Sequence, residues 1–328
     1  MNADDPIYDA VGAYVVPQLL YVAAKLRIAD LLAGGPLDAA ALAERSGAHE
    51  PSLARALRAL ASLGIFARGR DGRYRLTPSA QPLRSDHPRS RRSAIQFAGE
   101  EQQQAWGAVL HSMKTGRSAF DHVYGHPFAE HLAGEEEALD AAQDFRARRE
   151  ARRNGAIAAA LDISRARSIV DVGGGTGELL AELLSRHPGL TGTLLDVPAV
   201  AERARARIEA LGLSSRCDVV GGDARARVPA GRDAYVLAEV LHCFDDPEAT
   251  KILRRCRGRV YAIERVLPPT GRASADFFAD LHMLVLHGGR ERTRREFAAL
   301  FDAAGLCLRH VRPTDSWVSI LEAPPIRA

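Results

Sequence analysis

Apolar residues recur at two different spacings along this chain, and the change of spacing separates an amino-terminal part from the rest. Leucines recur every three or four residues between positions 53 and 63, which predicts a buried helix, and Ser46-Gly47 marks the end of the helix before it. Asp71-Gly72 lies midway between Phe66 and Leu76 and predicts a short β-hairpin. Two helices followed by a hairpin predict a winged-helix unit.

A different pattern begins at Ala166, where short apolar runs alternate with helical stretches. Alternation of this kind predicts a doubly wound parallel sheet with helices on both faces. The segment between the two parts has the pattern of polar helices, with residues 120–128 as a loop between them. The predicted strands are 168–172, 191–196, 217–221, 233–239 and 260–265, followed by strands near 307–311 and 317–321.

The run 171–177, Asp-Val-Gly-Gly-Gly-Thr-Gly, joins an apolar strand to a leucine-rich helix. Glycine lets the backbone turn sharply and approach a ligand closely, while the helix that follows offers free N–H groups to an anionic group. A dinucleotide fingerprint is excluded, because Glu178 or Leu180 stands where its third glycine belongs. No Lys-Ser or Lys-Thr follows the last glycine, so a P-loop is disfavoured as well.

An acid at the end of the next predicted strand narrows the identity of the ligand. Asp196 closes the apolar run 193–196, so the glycine loop lies between two acids. This arrangement favours a ligand with a ribose and an amino-acid tail, and S-adenosylmethionine has both. A turn that serves only strand–helix packing is the alternative. The candidate cofactor residues of the loop are Asp171, Gly173, Gly175 and Gly177.

Composition and charge indicate a protein of the reducing cytoplasm with about two domains. The formal net charge of +3 comes from nearly balanced acids and bases, which is weak evidence for a nucleic-acid partner. No apolar run reaches the roughly 18 residues of a membrane span, and Asp4-Asp5 replaces a basic signal-peptide start. The cysteines show no C-x-x-C spacing, so neither a zinc site nor a redox pair is indicated.

A histidine follows the apolar stretch 235–241 and is the candidate general base. His242 is expected at the carboxyl end of a parallel strand, which is where ligands bind in sheets of this kind. Imidazole, with a pKa of about 6.5, is suited to removing a proton from a hydroxyl at neutral pH. A capping or packing histidine is the alternative. Just downstream, Asp246 is expected to cap a helix that begins at Pro247.

With these motifs in order, the chain resembles the S-adenosylmethionine-dependent small-molecule O-methyltransferases of plant phenolic and bacterial natural-product pathways. The likeness covers nearly the whole chain. It implies a winged-helix dimerisation domain over 1–100, a helical connecting layer over 101–160 and a Rossmann-like catalytic domain over 161–328, in a homodimer. The motifs that carry the likeness are 171–177, 195–198, Gly222-Asp223, Val240-Leu241-His242, 252–256 and 288–293.

The resemblance also implies how the cofactor is held. The glycine loop takes the methionine end of S-adenosylmethionine, and Asp196 binds the ribose hydroxyls. Asp223 lies beside the adenine, and Phe244 supplies an apolar wall. Carboxylates are chemically suited to both hydroxyl and amine donors. A simple turn residue is the alternative for Asp223.

Further residues match the family's catalytic and acceptor positions. Glu264 and Glu291 match the two acids that flank the base, where a carboxylate sets the imidazole tautomer and stabilises the imidazolium. Ion pairing with nearby arginines is the alternative for both. Met283 matches a methionine that contacts the acceptor ring, with core packing as the alternative, and His287 is a further substrate-binding candidate. No metal is expected, because the family's chemistry needs none.

The chain departs from the family beside its histidine, where Cys243-Phe244 replaces Asp-Trp, and at Ala238, where lysine is common. Three hypotheses therefore stand. The first is an O-methyltransferase acting on a hydroxyl of an aromatic or polyketide-type natural product. The second is the same scaffold methylating nitrogen or carbon, or catalysing a decarboxylation, hydroxylation or cyclisation with retained cofactor. The third is a DNA-binding regulator that uses the winged helix and senses the cofactor.

Overall fold

The computed structural model describes residues 7, 12–128, 130–131, 151–269 and 274–325. The chain divides into two compact units, one of 1–104 with 134–148 and the other of 105–133 with 149–328. Within the described ranges, no helix combines the length and hydropathy needed to cross a bilayer.

The first unit consists of short helices and one small hairpin. Leu53, Leu57 and Leu60 are buried on one face of the fourth helix, as their spacing predicts. Gly72 adopts a φ of 77° in the hairpin turn, a conformation that glycine reaches without strain. Its elements are α1 (Val15–Lys25), α2 (Ile28–Leu31), α3 (Ala39–Ser46), α4 (Glu50–Ser62), β1 (Phe66–Arg68), β2 (Tyr74–Leu76) and α5 (Arg92–Gly99), with 3₁₀ turns at Leu32–Gly34 and Pro78–Leu83.

The second unit is built on a seven-stranded sheet in the order β10-β11-β7-β6-β3-β4-β5. The five strands from β7 to β5 pair in parallel with their neighbours. At the other edge, β11 pairs antiparallel with β7, and β10 pairs antiparallel with β11. The prediction of a doubly wound parallel sheet is confirmed, and the sheet also contains two antiparallel strand pairs at one edge. Its strands are β3 (Ser168–Val172), β4 (Thr191–Asp196), β5 (Cys217–Gly221), β6 (Ala234–Ala238), β7 (Arg259–Glu264), β10 (His310–Pro313) and β11 (Ser319–Ala323), with the small pair β8 (Val266–Leu267) and β9 (Arg292–Thr293) outside the sheet.

Both faces of this sheet are covered by apolar side chains. Alternate residues of β3 point in opposite directions, so Ile169 joins one buried cluster and Val170 joins the other. The same alternation holds in β6 for Val236 and Leu237. The helices are α6 (Glu101–Gly107, across the unit boundary), α7 (Val109–Thr115), α8 (Ala119–Tyr124), α9 (Glu178–Arg186), α10 (Pro198–Ala210), α11 (Asp246–Arg255), α12 (Asp276–His287) and α13 (Arg294–Ala303); residues 151–160 are also helical.

Three local predictions were wrong. Most of the predicted loop 120–128 lies in helix α8, which Ser118 caps by accepting from the Asp121 N–H and which Gly125 ends at a φ of 79°. Asp245 rather than Asp246 caps α11, because its carboxylate accepts from the Glu248 N–H at 2.9 Å. The last two strands begin at His310 and Ser319, each somewhat later than predicted.

The sheet order determines where a site forms. β3 lies between β6 and β4, so the connections leaving β3 and β6 run to opposite sides and leave a crevice at their carboxyl ends. The glycine loop follows β3, and His242 follows β6. The two candidate motifs therefore meet at the same edge.

Candidate active site

The glycine loop has a backbone that only glycine adopts without strain. Gly173, Gly175 and Gly177 have φ values of 68°, 59° and 89°. A Cβ on Gly173 would lie 2.7 Å from Val240 Cγ2, too close for any real contact. The loop therefore approaches the crevice as bare backbone at these positions, while the N–H groups of Gly173 and Gly175 donate to the Leu195 carbonyl and the Asp196 carboxylate.

The two predicted acids lie beside the loop. Asp196 accepts the Gly175 N–H at 2.8 Å and the Val197 N–H at 2.7 Å through its two carboxylate oxygens. Asp171 is 2 % exposed and lies beneath the loop, since a Cβ on Gly174 would be 2.7 Å from Asp171 Oδ2. The sequence-predicted loop and acids thus lie together around one concave backbone.

Asp223, the expected adenine-side acid, is paired with an arginine. Its carboxylate lies 3.0 Å from the Arg225 guanidinium, and this hydrogen bond lowers the pKa of Asp223. Arg225 also bonds Glu248 at 3.1 Å and lies over the Phe244 ring, 5.8 Å from its centroid. Asp223 and Phe244 are therefore linked through Arg225, which was not predicted as a site residue from the sequence.

His242 stands in a 3₁₀ turn, Leu241–Cys243, that follows β6. Its Nδ1 lies 3.2 Å from Glu291 Oε1 and 3.6 Å from Glu264 Oε2. The three residues are buried, with exposures of 9 %, 3 % and 0 % for His242, Glu291 and Glu264. The two acids predicted to flank the base lie on one side of the imidazole, which leaves Nε2 on the opposite side of the ring.

Hydrogen bonds hold the Glu264 carboxylate and the Glu291 main chain in place. Glu264 Oε1 accepts the N–H groups of Val240 at 3.0 Å and Leu241 at 2.7 Å. The Glu291 N–H donates to Asp280 Oδ1 at 2.8 Å. Asp280 was not singled out from the sequence, although it lies one turn before Met283 on α12. The acids are therefore fixed before any ligand arrives.

Burial and mutual charge shift the protonation of this triad. Burial alone lowers the pKa of His242, but Cys243, Glu264 and Glu291 outweigh it and hold that pKa well above its ordinary value. Burial also raises the pKa of Glu264 to about 7, against the opposing charge of His242. His242 therefore holds a proton more tightly than a free imidazole does, and both carboxylates face its Nδ1.

Arg292 braces the turn that carries the histidine and was missed by the sequence analysis. It is fully buried and donates to the carbonyls of Leu241 and Phe244, each at 2.9 Å, and to Asp246 at 2.8 Å. The signal available in the sequence was its place beside Glu291 in the run 288–293. A buried arginine that bonds both sides of a catalytic turn restricts the turn to one conformation.

The acceptor candidates lie on α12, which ends against the histidine turn. The Met283 carbonyl accepts the Gly289 N–H at 3.3 Å, and the Arg290 N–H donates to the His242 carbonyl at 2.9 Å. His287 meets the edge of Phe128, with ring centroids 5.1 Å apart. Both candidates therefore belong to the element next to His242, and their contact with an acceptor stays a prediction.

Arg153 is a second buried cation that the sequence analysis missed. It is 6 % exposed, forms an ion pair with Glu239 and donates to Asn154 Oδ1 at 3.1 and 3.0 Å. Glu239, just after β6, has a φ of 55° and also accepts the Trp317 Nε1–H at 2.9 Å. The sequence did carry a signal for the burial of Arg153. It precedes the buried Ile157 and Leu161 by four and eight residues, which places all three on one face of a helix.

Two family profiles match this chain. Residues 106–307 match an O-methyltransferase domain, and residues 8–86 match an O-methyltransferase dimerisation domain. The first match contains the glycine loop, the histidine turn and both acids. The second lies within the first compact unit.

Similar proteins are known in sequence and in structure. Phenazine O-methyltransferase PhzM of Lysobacter antibioticus is 41 % identical over 96 % of this chain and 94 % of its own length. A 2,7-dihydroxy-5-methyl-1-naphthoate 7-O-methyltransferase of Streptomyces carzinostaticus is 39 % identical over 95 % of this chain and 96 % of its own length. The crystal structure of the O-methyltransferase NcsB1 from neocarzinostatin biosynthesis, in complex with S-adenosylmethionine and 2-hydroxy-5-methyl naphthoic acid, superimposes with a TM-score of 0.87, at 38 % identity over 94 % of this chain and 96 % of that one.

Proposed function

The chain belongs to the O-methyltransferase family, and from this premise we propose that it methylates a hydroxyl of an aromatic natural product, with S-adenosylmethionine as donor and His242 as general base. The observation that carries the proposal is the buried triad, in which His242 Nδ1 lies 3.2 Å from Glu291 and 3.6 Å from Glu264. Relatives named for phenazine and naphthoate acceptors support an aromatic, ring-borne hydroxyl as the substrate.

The residues around the glycine loop suit the proposed cofactor. The open backbone of Gly173 to Gly177 takes the methionine end, Asp171 lies beneath it, and Asp196 reaches the ribose hydroxyls. Asp223 and Phe244 form the adenine side, with Arg225 between them. The bound cofactor supplies an electrophilic methyl group on a sulfonium.

Arg153 is the protein's candidate contact for the cofactor's carboxylate. It is a buried guanidinium held by Glu239, directly after β6 and so near the edge where the loop lies. A planar guanidinium is well matched to a carboxylate, and Glu239 neutralises it until a ligand binds.

The histidine removes the acceptor's proton as the oxygen attacks. Glu264 and Glu291 face Nδ1, so the proton on Nδ1 is retained and Nε2 is the nitrogen that accepts from the hydroxyl. Both carboxylates then stabilise the imidazolium, whose charge develops in a buried site. The acceptor ring is expected to pack against Met283, with His287 at its edge.

The proposal extends to the oligomeric state of the protein and to its location in the cell. The dimerisation domain over residues 8–86 supports a homodimer, and the free cysteines Cys217, Cys243, Cys256 and Cys307 support a reducing, cytoplasmic location.

A methyl-transfer assay tests the proposal. Formation of S-adenosylhomocysteine is measured with a panel of phenolic and polyketide acceptors for the parent, for His242→Ala and for the exposed control His310→Ala. We expect His242→Ala to lose about 100-fold or more in kcat, which is the usual contribution of a general base, while His310→Ala stays at the parent rate.

Calorimetric binding of S-adenosylmethionine provides the second readout, and its affinity should be similar in all three proteins. Full activity of His242→Ala near neutral pH would show that the base assignment is wrong. Tight cofactor binding without methyl transfer to any acceptor in the parent would instead favour a non-methylating reaction on this scaffold.

A further inference from the structure

Building on the proposed function, we propose that His242, Glu264 and Glu291 also form an inhibitory binding site for a divalent cation with a preference for nitrogen and oxygen ligands, Zn²⁺ above all. The three side chains offer one imidazole nitrogen and two carboxylates, and their ligand atoms lie within 4.8 Å of one another. This is a ligand set that zinc binds in proteins.

The distances between the ligand atoms already suit a bound cation. With bonds of about 2.0–2.1 Å, the ligands of a tetrahedral zinc ion are about 3.3 Å apart. The Nδ1 atom of His242 lies 3.2 Å from Glu291 Oε1 and 3.6 Å from Glu264 Oε2. Two of the three distances between ligand atoms therefore already match a bound zinc ion, and each of the three residues offers a ligand atom within 4.8 Å of the others.

The triad has unused acceptor capacity that points to a cation. Among the described residues, Glu264 Oε2 and Glu291 Oε2 are buried and have no hydrogen-bond donor. Their side chains are 0 % and 3 % exposed. Buried carboxylate oxygens without donors are costly, and a cation next to His242 Nδ1 would satisfy Glu264 Oε2 directly while Glu291 binds it through Oε1.

The surrounding structure holds these ligands as protein metal sites do. Glu264 keeps its second oxygen on two backbone N–H groups, and Glu291 is anchored to Asp280 through its own N–H. Positive charge nearby is limited: Arg265 Nε lies 3.8 Å from Glu291, but this arginine also forms an ion pair with Asp276. Two carboxylates thus face one imidazole.

Binding at this position would stop proton transfer without filling the acceptor pocket. When a cation binds Nδ1 of the imidazolium, the Nδ1 proton leaves to the buffer and the Nε2 proton stays on the ring. The neutral imidazole that remains carries its proton on Nε2, the nitrogen that must accept from the hydroxyl. The cation therefore lowers kcat and leaves the KM for the acceptor nearly unchanged.

Direct binding is measured with Co²⁺ and Zn²⁺ on the full-length, chelator-treated protein, independently of activity. We expect one Co²⁺ per chain with the visible absorption of a four-coordinate nitrogen–oxygen site, displaced by Zn²⁺. Glu264→Gln keeps an oxygen for the two backbone donors but loses the charged ligand, and it should weaken Zn²⁺ binding about tenfold or more. His242→Asn removes the imidazole nitrogen of the site and should weaken Zn²⁺ binding to a similar extent.

Control variants separate this site from other metal-binding groups. His111 and His122 stack at 4.0 Å between ring centroids, Cys243 adjoins the triad and Cys307 is exposed. His111→Asn and Cys307→Ser should both keep the parent's Zn²⁺ affinity. If either of these two removes the binding while Glu264→Gln and His242→Asn keep it, the proposal is overturned.

Activity gives the second readout. In the parent, micromolar Zn²⁺ should lower kcat, and a chelator should restore it. Co²⁺ and Zn²⁺ binding in a protein that transfers no methyl group would support the site while contradicting the proposed function. Methyl transfer in a protein that binds neither cation at the triad would contradict the site alone.

Discussion

At the scale of single residues, the proposed chemistry depends on how two buried carboxylates set the protonation of His242. His242 alone would lose affinity for a proton on burial, and the neighbouring carboxylates reverse that effect. The same carboxylates make the imidazole a stronger base and place its free nitrogen on the opposite side of the ring. In the proposed reaction the imidazolium must lose its Nε2 proton before the hydroxyl arrives, while the Nδ1 proton stays between the ring and the carboxylates.

The pH dependence of kcat/KM tests this interpretation. Only neutral imidazole accepts a proton, so activity should rise with pH, with a midpoint above the ordinary value of about 6.5. Glu291 contributes to the raised pKa of His242, so Glu291→Gln should move the midpoint to lower pH and also reduce kcat. The exposed Glu202→Gln serves as control. An unchanged midpoint in Glu291→Gln would show that this carboxylate does not govern the base.

At the scale of elements, the site depends on how the turn after β6 is held. The turn meets β7 through Glu264 and the segment after α12 through Glu291 and Arg292. A Cβ on Gly289 would lie 2.0 Å from the His242 carbonyl oxygen, so any other residue at this position would displace the histidine turn. The small parallel pair β8–β9 joins the segments that carry the two acids.

Arg292→Met tests the brace on this turn. The change removes the Arg292 donor from the Phe244 carbonyl, at about 1–3 kcal/mol, and leaves the Leu241 carbonyl with only the Phe244 N–H at 3.3 Å. We expect the thermal midpoint to fall by roughly 5 °C or more and kcat to fall with it. Arg295→Met, an exposed change on α13, is the matched control. Parent-like melting and kcat in Arg292→Met would mean that the turn holds its shape without the arginine.

At the scale of the whole molecule, the chain combines a catalytic unit with a unit that matches a dimerisation domain. The first unit has its own buried core, which includes Ile28, Leu42 and Leu57. It also presents large apolar side chains to solvent, with Tyr14 at 66 % and Val15 at 43 % exposure. Residues of this kind within a dimerisation domain are the expected contact surface for a second copy of the chain.

Light scattering coupled to size exclusion tests this surface. The parent should elute as a dimer, and the double variant Tyr14→Glu, Val15→Glu should shift towards a monomer, because each added charge would be buried against the partner. Leu211→Glu introduces a similar change at an exposed leucine of the catalytic unit and should stay dimeric. A double variant that remains fully dimeric would exclude this face from the interface.

Local patterns were enough to predict the elements whose causes lie within a few residues. Hairpin, glycine loop and parallel strands were all predicted, because turn chemistry and apolar spacing act between chain neighbours. The helix α8 was missed although its signals, Ser118 and Gly125, were present, since polar and histidine residues between them obscured the apolar spacing. The roles of Glu264 and Glu291 came from the family resemblance and not from local pattern.

The sequence by itself therefore determined the cofactor loop, the sheet class and the family, and only the tertiary structure decided which side chains share a charge. His242 meets an acid 49 residues away, and Arg153 meets one 86 residues away. Those pairs depend on strand order and on the sharp return at Gly289, which bring distant segments to one edge. The tertiary structure alone showed the contacts of Asp280, Arg292 and Arg153. Burial and pairing depend on the packing of the whole molecule and not on the chain neighbours of each residue.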